Sequence, residues 1–189
     1  YVNYYNNNKT TKISLIVTLV NVNRDYDYYE KTFDTDTAKG KLMLVNKYYL
    51  LSSSYVPNGI ITVPKKYCWE TLEIKQETYE AFLKMWNAAY NDGIYLMISS
   101  AYRSYATQSK VYKSINNSKL AAKPGSSEHQ TGYALDIFSK TSYNQDTFEY
   151  SNTAKWLKEN SYKYGFILRY PEGKENITGY SYESWHYRY

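Results

Sequence analysis

The strongest constraint on this chain is a carboxylate set inside an apolar run. Asp136 stands in the middle of Ala134-Leu135-Asp136-Ile137-Phe138, which reads as a buried strand, and an unpaired carboxylate is costly there. His129 lies seven residues earlier. Fully extended, that interval would hold the two Cα atoms more than about 20 Å apart, whereas two donors to one zinc ion must each lie about 2 Å from it. For both to meet one partner the chain must fold back between them, and Gly132 is the residue in that interval able to turn sharply without steric cost. A metal ion would satisfy Asp136. A lone histidine is more often structural than a ligand, so the second of the chain's two histidines matters. It is His186, in the segment YESWH. Two residues separate it from Glu183, so a turn or bulge can set both on one side of the chain, with the carboxylate placed to reach a metal-bound water. Three N/O ligands with a fourth position open, beside a carboxylate, is the set a hydrolytic zinc site needs. No HExxH helix is present, which excludes the thermolysin-like layout.

Length and composition narrow the remainder. At 189 residues the chain can bury one good core, so one domain and one catalytic site are expected. The 26 tyrosines are unusual but carry no functional signal. A net charge of +5 suits an anionic surface such as a cell wall, but the lysines are scattered, which argues against nucleic acid as a partner. The longest aliphatic stretch, Ile13 to Val22, is interrupted by Ser14, Thr18 and Asn21, spans about half of the roughly 20 residues a membrane helix needs, and reads as a strand. Cys68 is the only cysteine, so disulfides within the chain and thiolate zinc clusters are excluded, and its aromatic flanks suggest a buried structural thiol. The chain opens at Tyr1 without a charged n-region and apolar core, so an export signal or membrane anchor is expected to lie outside it.

Residues 1–12, YVNYYNNNKTTK, have no apolar period and read as a flexible arm or linker, with a single domain over 13–189. Up to about Lys66, short apolar runs (SLIVTLV, LMLVN, YYLL, GIITVP) punctuated by Asn, Gly, Pro and Ser predict short strands and loops. From Thr78 to Asn91, the spacing of Phe82, Met85, Trp86, Ala89 and Tyr90 predicts an amphipathic helix closed by Gly93. A buried strand over Ile94–Ser100 follows, then a helix over Tyr105–Asn116 capped by Ser104, which sets Arg103 at a strand-to-helix junction. A third helix is expected from Ser151 to near Gly165, and closing strands over Phe166–Tyr170 and Trp185–Tyr189.

The pattern Ser127-x-His129-x6-Asp136, with Gly132 and Ala134 between, followed by Glu183-x-Trp185-His186, resembles the signature of the VanY-type D-alanyl-D-alanine carboxypeptidases, which group with the VanX dipeptidases and related L,D-carboxypeptidases. The resemblance extends to Ala101-Tyr102-Arg103-Ser104 with Gln108, to Arg169-Tyr170-Pro171, to Ile177-Thr178-Gly179-Tyr180 and to Val45-Asn46-Lys47. It implies an α+β fold in which a small, mainly antiparallel sheet carries a zinc site and helices pack on it. It further implies Zn2+ as cofactor on His129, Asp136 and His186, Glu183 as general base and Arg103 stabilising the oxyanion, with Ser127, Gln108 and Tyr180 lining the substrate site. The expected substrate is a peptidoglycan stem peptide that loses its terminal D-Ala, cut by a monomer at the extracellular face of a bacterial cell envelope. An L,D-carboxypeptidase or endopeptidase would use the same machinery on a different bond. A non-catalytic wall-binding module with structural zinc would have no need of Glu183.

Overall fold

A computed structural model describes residues 31–189 apart from Lys119 and Ser142, together with the backbone of two strands, β1 (Asn3–Asn6) and β2 (Lys9–Lys12), which pair antiparallel. The strand expected over Ile13–Val22, and the expected start of the domain near Ile13, lie outside the described residues. Two further small ribbons follow. In one, β3 (Phe33–Asp34) runs parallel to β4 (Tyr49–Leu50); in the other, β5 (Ile60–Thr62) is antiparallel to β6 (Glu73–Lys75).

The chain then builds α1 (Gln76–Asn91), β7 (Leu96–Ser100), α2 (Tyr105–Ile115), a 3-10 turn (Glu128–Thr131) and β8 (Ala134–Ser139). After these come α3 (Gln145–Phe148), α4 (Asn152–Asn160), β9 (Ile167–Leu168), α5 (Glu175–Thr178) and β10 (His186–Arg188). Four strands form the main sheet in the order β7-β8-β10-β9, every pairing antiparallel. This is the α+β architecture that the family resemblance implies.

Local chemistry explains where the helices start and stop. The Ser104 hydroxyl accepts from the Thr107 N–H at 3.2 Å and opens α2, and the Ser151 hydroxyl accepts from the Ala154 N–H at 3.1 Å and opens α4. At the far end of α1 the Ile94 N–H donates to the Ala89 carbonyl at 2.8 Å, the six-to-one bond of a Schellman ending around Gly93. Phe82, Met85, Trp86 and Ala89 are buried as the period requires. Tyr90 is not: it is half exposed and stacks on Trp86 with centroids 5.0 Å apart. Eight positions beyond Phe82, at about 100° per residue, it has rotated roughly 80° off the buried side.

One expectation fails for a physical reason. The run Leu42–Asn46 alternates as a strand should, with Met43 and Val45 buried and Leu42 and Leu44 exposed, yet no ladder forms there. Side chains take the carbonyls that a neighbouring strand would have used: Arg188 Nη2 donates to Lys41 O and Met43 O at 3.1 Å each, and Thr35 Oγ1 donates to Leu44 O at 3.0 Å.

The main core joins Phe82, Met85 and Trp86 of α1 and Leu157 of α4 to Leu96, Ile98, Leu135 and Ile137 of the sheet. Each such side chain contributes about 1.5–3 kcal/mol when fully buried. Cys68 lies inside this core, where burial pushes its thiol pKa up, as a structural cysteine should.

The loop that delivers residues 126–129 to the sheet is pinned by close backbone contact. Gly125 has φ +87°, its carbonyl accepts from the Leu51 N–H at 2.8 Å, and a Cβ there would sit 2.7 Å from Leu51 O. Gly125→Ala is therefore expected to cost about 1–3 kcal/mol and to lower Tm by roughly 2–12 °C. Gly173→Ala is the control, with φ +70° but nothing within 4 Å of the added Cβ. Thermal unfolding should show the larger drop for Gly125→Ala, and equal drops would refute the close-approach account.

Candidate active site

The site is assembled by strand register. In the β8–β10 pair His186 stands opposite Asp136, and directly opposed residues send their side chains to the same face. The ring nitrogen His186 Nδ1 lies 3.0 Å from Asp136 Oδ1. His129 reaches the same point from the 3-10 turn just before β8. Gly132, with φ +74°, ends that turn and donates its N–H to the His129 carbonyl at 3.2 Å. His129 Nε2 then lies 3.4 Å from Asp136 Oδ2, and one donor atom from each of His129, Asp136 and His186 falls within 4.8 Å of the others. β10 is preceded by a turn in which the His186 N–H donates to Glu183 O at 3.3 Å. That turn leaves Glu183 Oε2 3.6 Å from His186 Nδ1.

The far side of each imidazole already has a partner. His129 Nδ1 donates to the Ala101 carbonyl at 2.7 Å, and His186 Nε2 faces Glu128 Oε2 at 3.4 Å. Each ring is thereby left with one nitrogen turned to the shared centre. The charges there are equally telling. Burial alone would raise the Asp136 carboxyl, but His129 and His186 hold it well below the usual range. Burial pushes His129 down. It opposes a charge on His186 too, yet Asp136 and Glu128 push that imidazole up to about 10. Glu183 is raised by burial to about 7 despite His186 beside it. A cluster that clings to a proton on His186 is a cluster that demands positive charge. A divalent cation supplies that charge and displaces the proton, so the donor set fits a metal ion.

These residues line a cleft of about 490 Å³. On its wall the Arg103 N–H donates to the His129 carbonyl at 3.1 Å, while the guanidinium donates to Gln108 Oε1 and Ser100 Oγ, both at 2.8 Å. Gln108, expected as a substrate contact, also lines the cleft, but its NH2 donates to Ala122 O at 2.6 Å. Both ends of its amide are therefore engaged, one of them in orienting Arg103. Ser127 is 4% exposed at the start of the 3-10 turn. Tyr180 is buried, with its hydroxyl 3.2 Å from Ser126 Oγ. The residues expected as ligands, as catalytic groups or as substrate contacts all border one cavity.

Two charged residues of the site, Glu128 and Arg188, were not singled out from the sequence, and Arg169 was named only within the motif Arg169-Tyr170-Pro171, without a role. Glu128 Oε1 accepts from Arg169 Nε at 2.8 Å and lies 3.4 Å from Arg188 Nη1. Burial would raise the Glu128 carboxyl, but Arg169, with His186 and Arg188, holds it down at about 2. The available signal was position alone, since Glu128 precedes His129 and Arg188 follows His186 by two residues.

Known proteins resemble this chain in sequence and fold. The VanY family, described as D-alanyl-D-alanine carboxypeptidase, matches residues 71–189. A D-alanyl-D-alanine carboxypeptidase of Enterococcus faecium is 34% identical over 170 residues, covering 85% of this chain, which spans a little over half (54%) of that relative's length. Among solved structures, the LdcB LD-carboxypeptidase superposes with a TM-score of 0.77 at 36% identity, covering 84% of this chain and 80% of that one. A mutant of the vancomycin resistance D,D-pentapeptidase VanY in complex with Zn(II) gives a TM-score of 0.66 at 32% identity, covering 79% and 87%. With the family model matched over residues 71–189, well over half of its length, the chain belongs to the VanY family of D-alanyl-D-alanine carboxypeptidases.

Proposed function

We propose that this chain is a zinc carboxypeptidase that removes the terminal D-Ala from peptidoglycan stem peptides ending in D-Ala-D-Ala. It would act as a monomer at the outer face of a bacterial cell envelope, through a single domain beginning near Ile13. The observation that carries the reading is Glu183 Oε2, 3.6 Å from His186 Nδ1 at the edge of the His129, Asp136 and His186 donor cluster. A purely structural site needs no such base. No helix among the described residues is long and apolar enough to cross a membrane.

His129, Asp136 and His186 would hold the ion. Bound Zn2+ supplies a Lewis acid for the scissile carbonyl and lowers the pKa of water towards about 7. Glu183 takes the proton of the attacking water on its carboxylate and later delivers it to the leaving amine. Burial keeps that carboxylate basic enough for the task. Arg103 offers N–H groups to the negative charge that grows on the carbonyl oxygen, and its bonds to Gln108 and Ser100 keep the guanidinium from having to reorganise. Ser127 and Tyr180 form the wall against which the peptide lies.

A second reading keeps this chemistry and changes the bond. The higher TM-score and identity to an LD-carboxypeptidase, 0.77 and 36% against 0.66 and 32% for the D,D-pentapeptidase, favour cleavage of tetrapeptide stems. Muropeptide digests followed by mass spectrometry separate the two. The D,D reading expects pentapeptide to lose a single D-Ala and stop at tetrapeptide. Tetrapeptide becoming tripeptide with pentapeptide untouched would assign the L,D specificity instead.

Base and ligand roles separate in a pair of variants. Glu183→Gln keeps its size but cannot accept a proton, so turnover should fall by about 10²- to 10⁴-fold with close to one zinc per chain retained. His186→Ala should be metal-poor, inactive and less heat-stable. Metal analysis and rate measurements check both, and near wild-type turnover in Glu183→Gln would overturn the mechanism.

A further inference from the structure

Glu128 is a charged residue with 3% of its surface exposed, and it is not among the proposed ligands. Its two oxygens are used differently. Oε1 accepts from Arg169 Nε at 2.8 Å and lies 3.4 Å from Arg188 Nη1, while Oε2 faces His186 Nε2 at 3.4 Å. The two arginines are themselves held. Arg169 lies over the Tyr170 ring at 5.1 Å, and Arg188 over the Tyr133 ring at 5.3 Å, with Nη2 donating to Lys41 O and Met43 O at 3.1 Å each. A carboxylate fixed by two anchored guanidiniums has little freedom to turn, and its second oxygen therefore stands at a set place.

The His186 ring needs such a reference. An imidazole has two nitrogens, and which one is free to bind a cation depends on which carries the proton. The other neighbours of the His186 ring are the Tyr170 ring at 4.8 Å and the His129 ring at 5.0 Å, which confine its plane, and on the Nδ1 side Asp136 Oδ1 at 3.0 Å and Glu183 Oε2 at 3.6 Å. With Nδ1 and Asp136 both turned to an ion, the ring's proton belongs on Nε2, where Glu128 Oε2 stands 3.4 Å away to accept it. We propose that Glu128 is a positioning residue of the metal site. Clamped by Arg169 and Arg188, its carboxylate receives the Nε2–H of His186 and so holds the ring with Nδ1 presented to the ion. A ligand whose far nitrogen is bound by a carboxylate is also the more basic donor.

This inference rests on the metal-binding reading above, and its test separates the two. The zinc affinity of the intact chain, by competition with a chromophoric chelator, and the visible spectrum of the Co2+-substituted protein would be measured for wild type, Glu128→Gln and Arg169→Lys. Glu128→Gln should bind zinc about 10- to 100-fold more weakly and shift the Co2+ bands. Arg169→Lys, whose side chain reaches the His186 ring through Glu128 and the Tyr170 ring, should show a smaller loss in the same direction. A merely structural ion pair predicts the opposite split: a lower Tm for the metal-free protein, with wild-type zinc affinity and an unchanged Co2+ spectrum in Glu128→Gln. That result would overturn the proposal. Should Glu128→Gln fail to fold, Arg169→Lys decides, and wild-type zinc affinity there overturns it equally. A wild-type chain that takes up neither metal removes the metal-binding reading itself.

Discussion

The site depends on one register, Asp136 opposite His186 across an antiparallel pair. Side-chain direction alternates along a strand, so a slip of one residue would send His186 to the other face of the sheet and bring Tyr187 to Asp136. Several features resist that slip. Tyr187 is fully buried in the main core, and Arg188 is bonded to the carbonyls of Lys41 and Met43 and paired with Glu128. On the other side of β8, the register with β7 shifts between Ile98 and Ser100. Beyond that irregularity the chain runs through Ala101, whose carbonyl holds His129, to Arg103. One short sheet therefore sets both the donor cluster and the guanidinium that overlooks it.

Burial is the second organising force. Asp136, Glu128, His129 and His186 all lie behind surfaces that would normally expel charge, and each is tolerated because an opposite or hydrogen-bonding partner stands within about 3.5 Å. The same exclusion of solvent that makes the cluster expensive without a cation gives Glu183 a carboxyl of about 7. The cost of building the cluster and the raised pKa of Glu183 share one physical origin.

What could be read from the sequence follows from the range of the interactions. The Ser104 and Ser151 caps and the buried side of α1 are set by residues three or four apart, and they stand where the pattern places them. Asp136 was legible because a carboxylate within an apolar strand is an anomaly that needs an explanation, and His129, Glu183 and His186 became legible as its company. Glu128 was not, because its partner Arg169 lies 41 positions away and nothing local reveals that such a carboxylate will be buried. The run Leu42–Asn46 misled in part for the same reason: its alternation was real, but its Met43 carbonyl goes to Arg188, 145 positions away, and its Leu44 carbonyl to the Thr35 hydroxyl. Tyr90 misled by sitting at the rim of a face whose centre was correctly placed.

Those long separations bear on how the protein acquires its shape. The contacts that define the cluster close loops of 50 residues between His186 and Asp136 and of 58 between His186 and Glu128. Arg188 reaches back 147 positions to Lys41. Closing such loops carries an entropy cost that is recovered only once the intervening chain is ordered, so these contacts belong among the last to form. A zinc finger gathers its ligands from a short stretch, and the ion can nucleate the fold. Here no local fragment contains more than two of the three donors, so a nascent chain offers an ion no complete site. The sheet must be closed before the three donor atoms can meet, so any affinity for a cation arrives only with the finished tertiary structure.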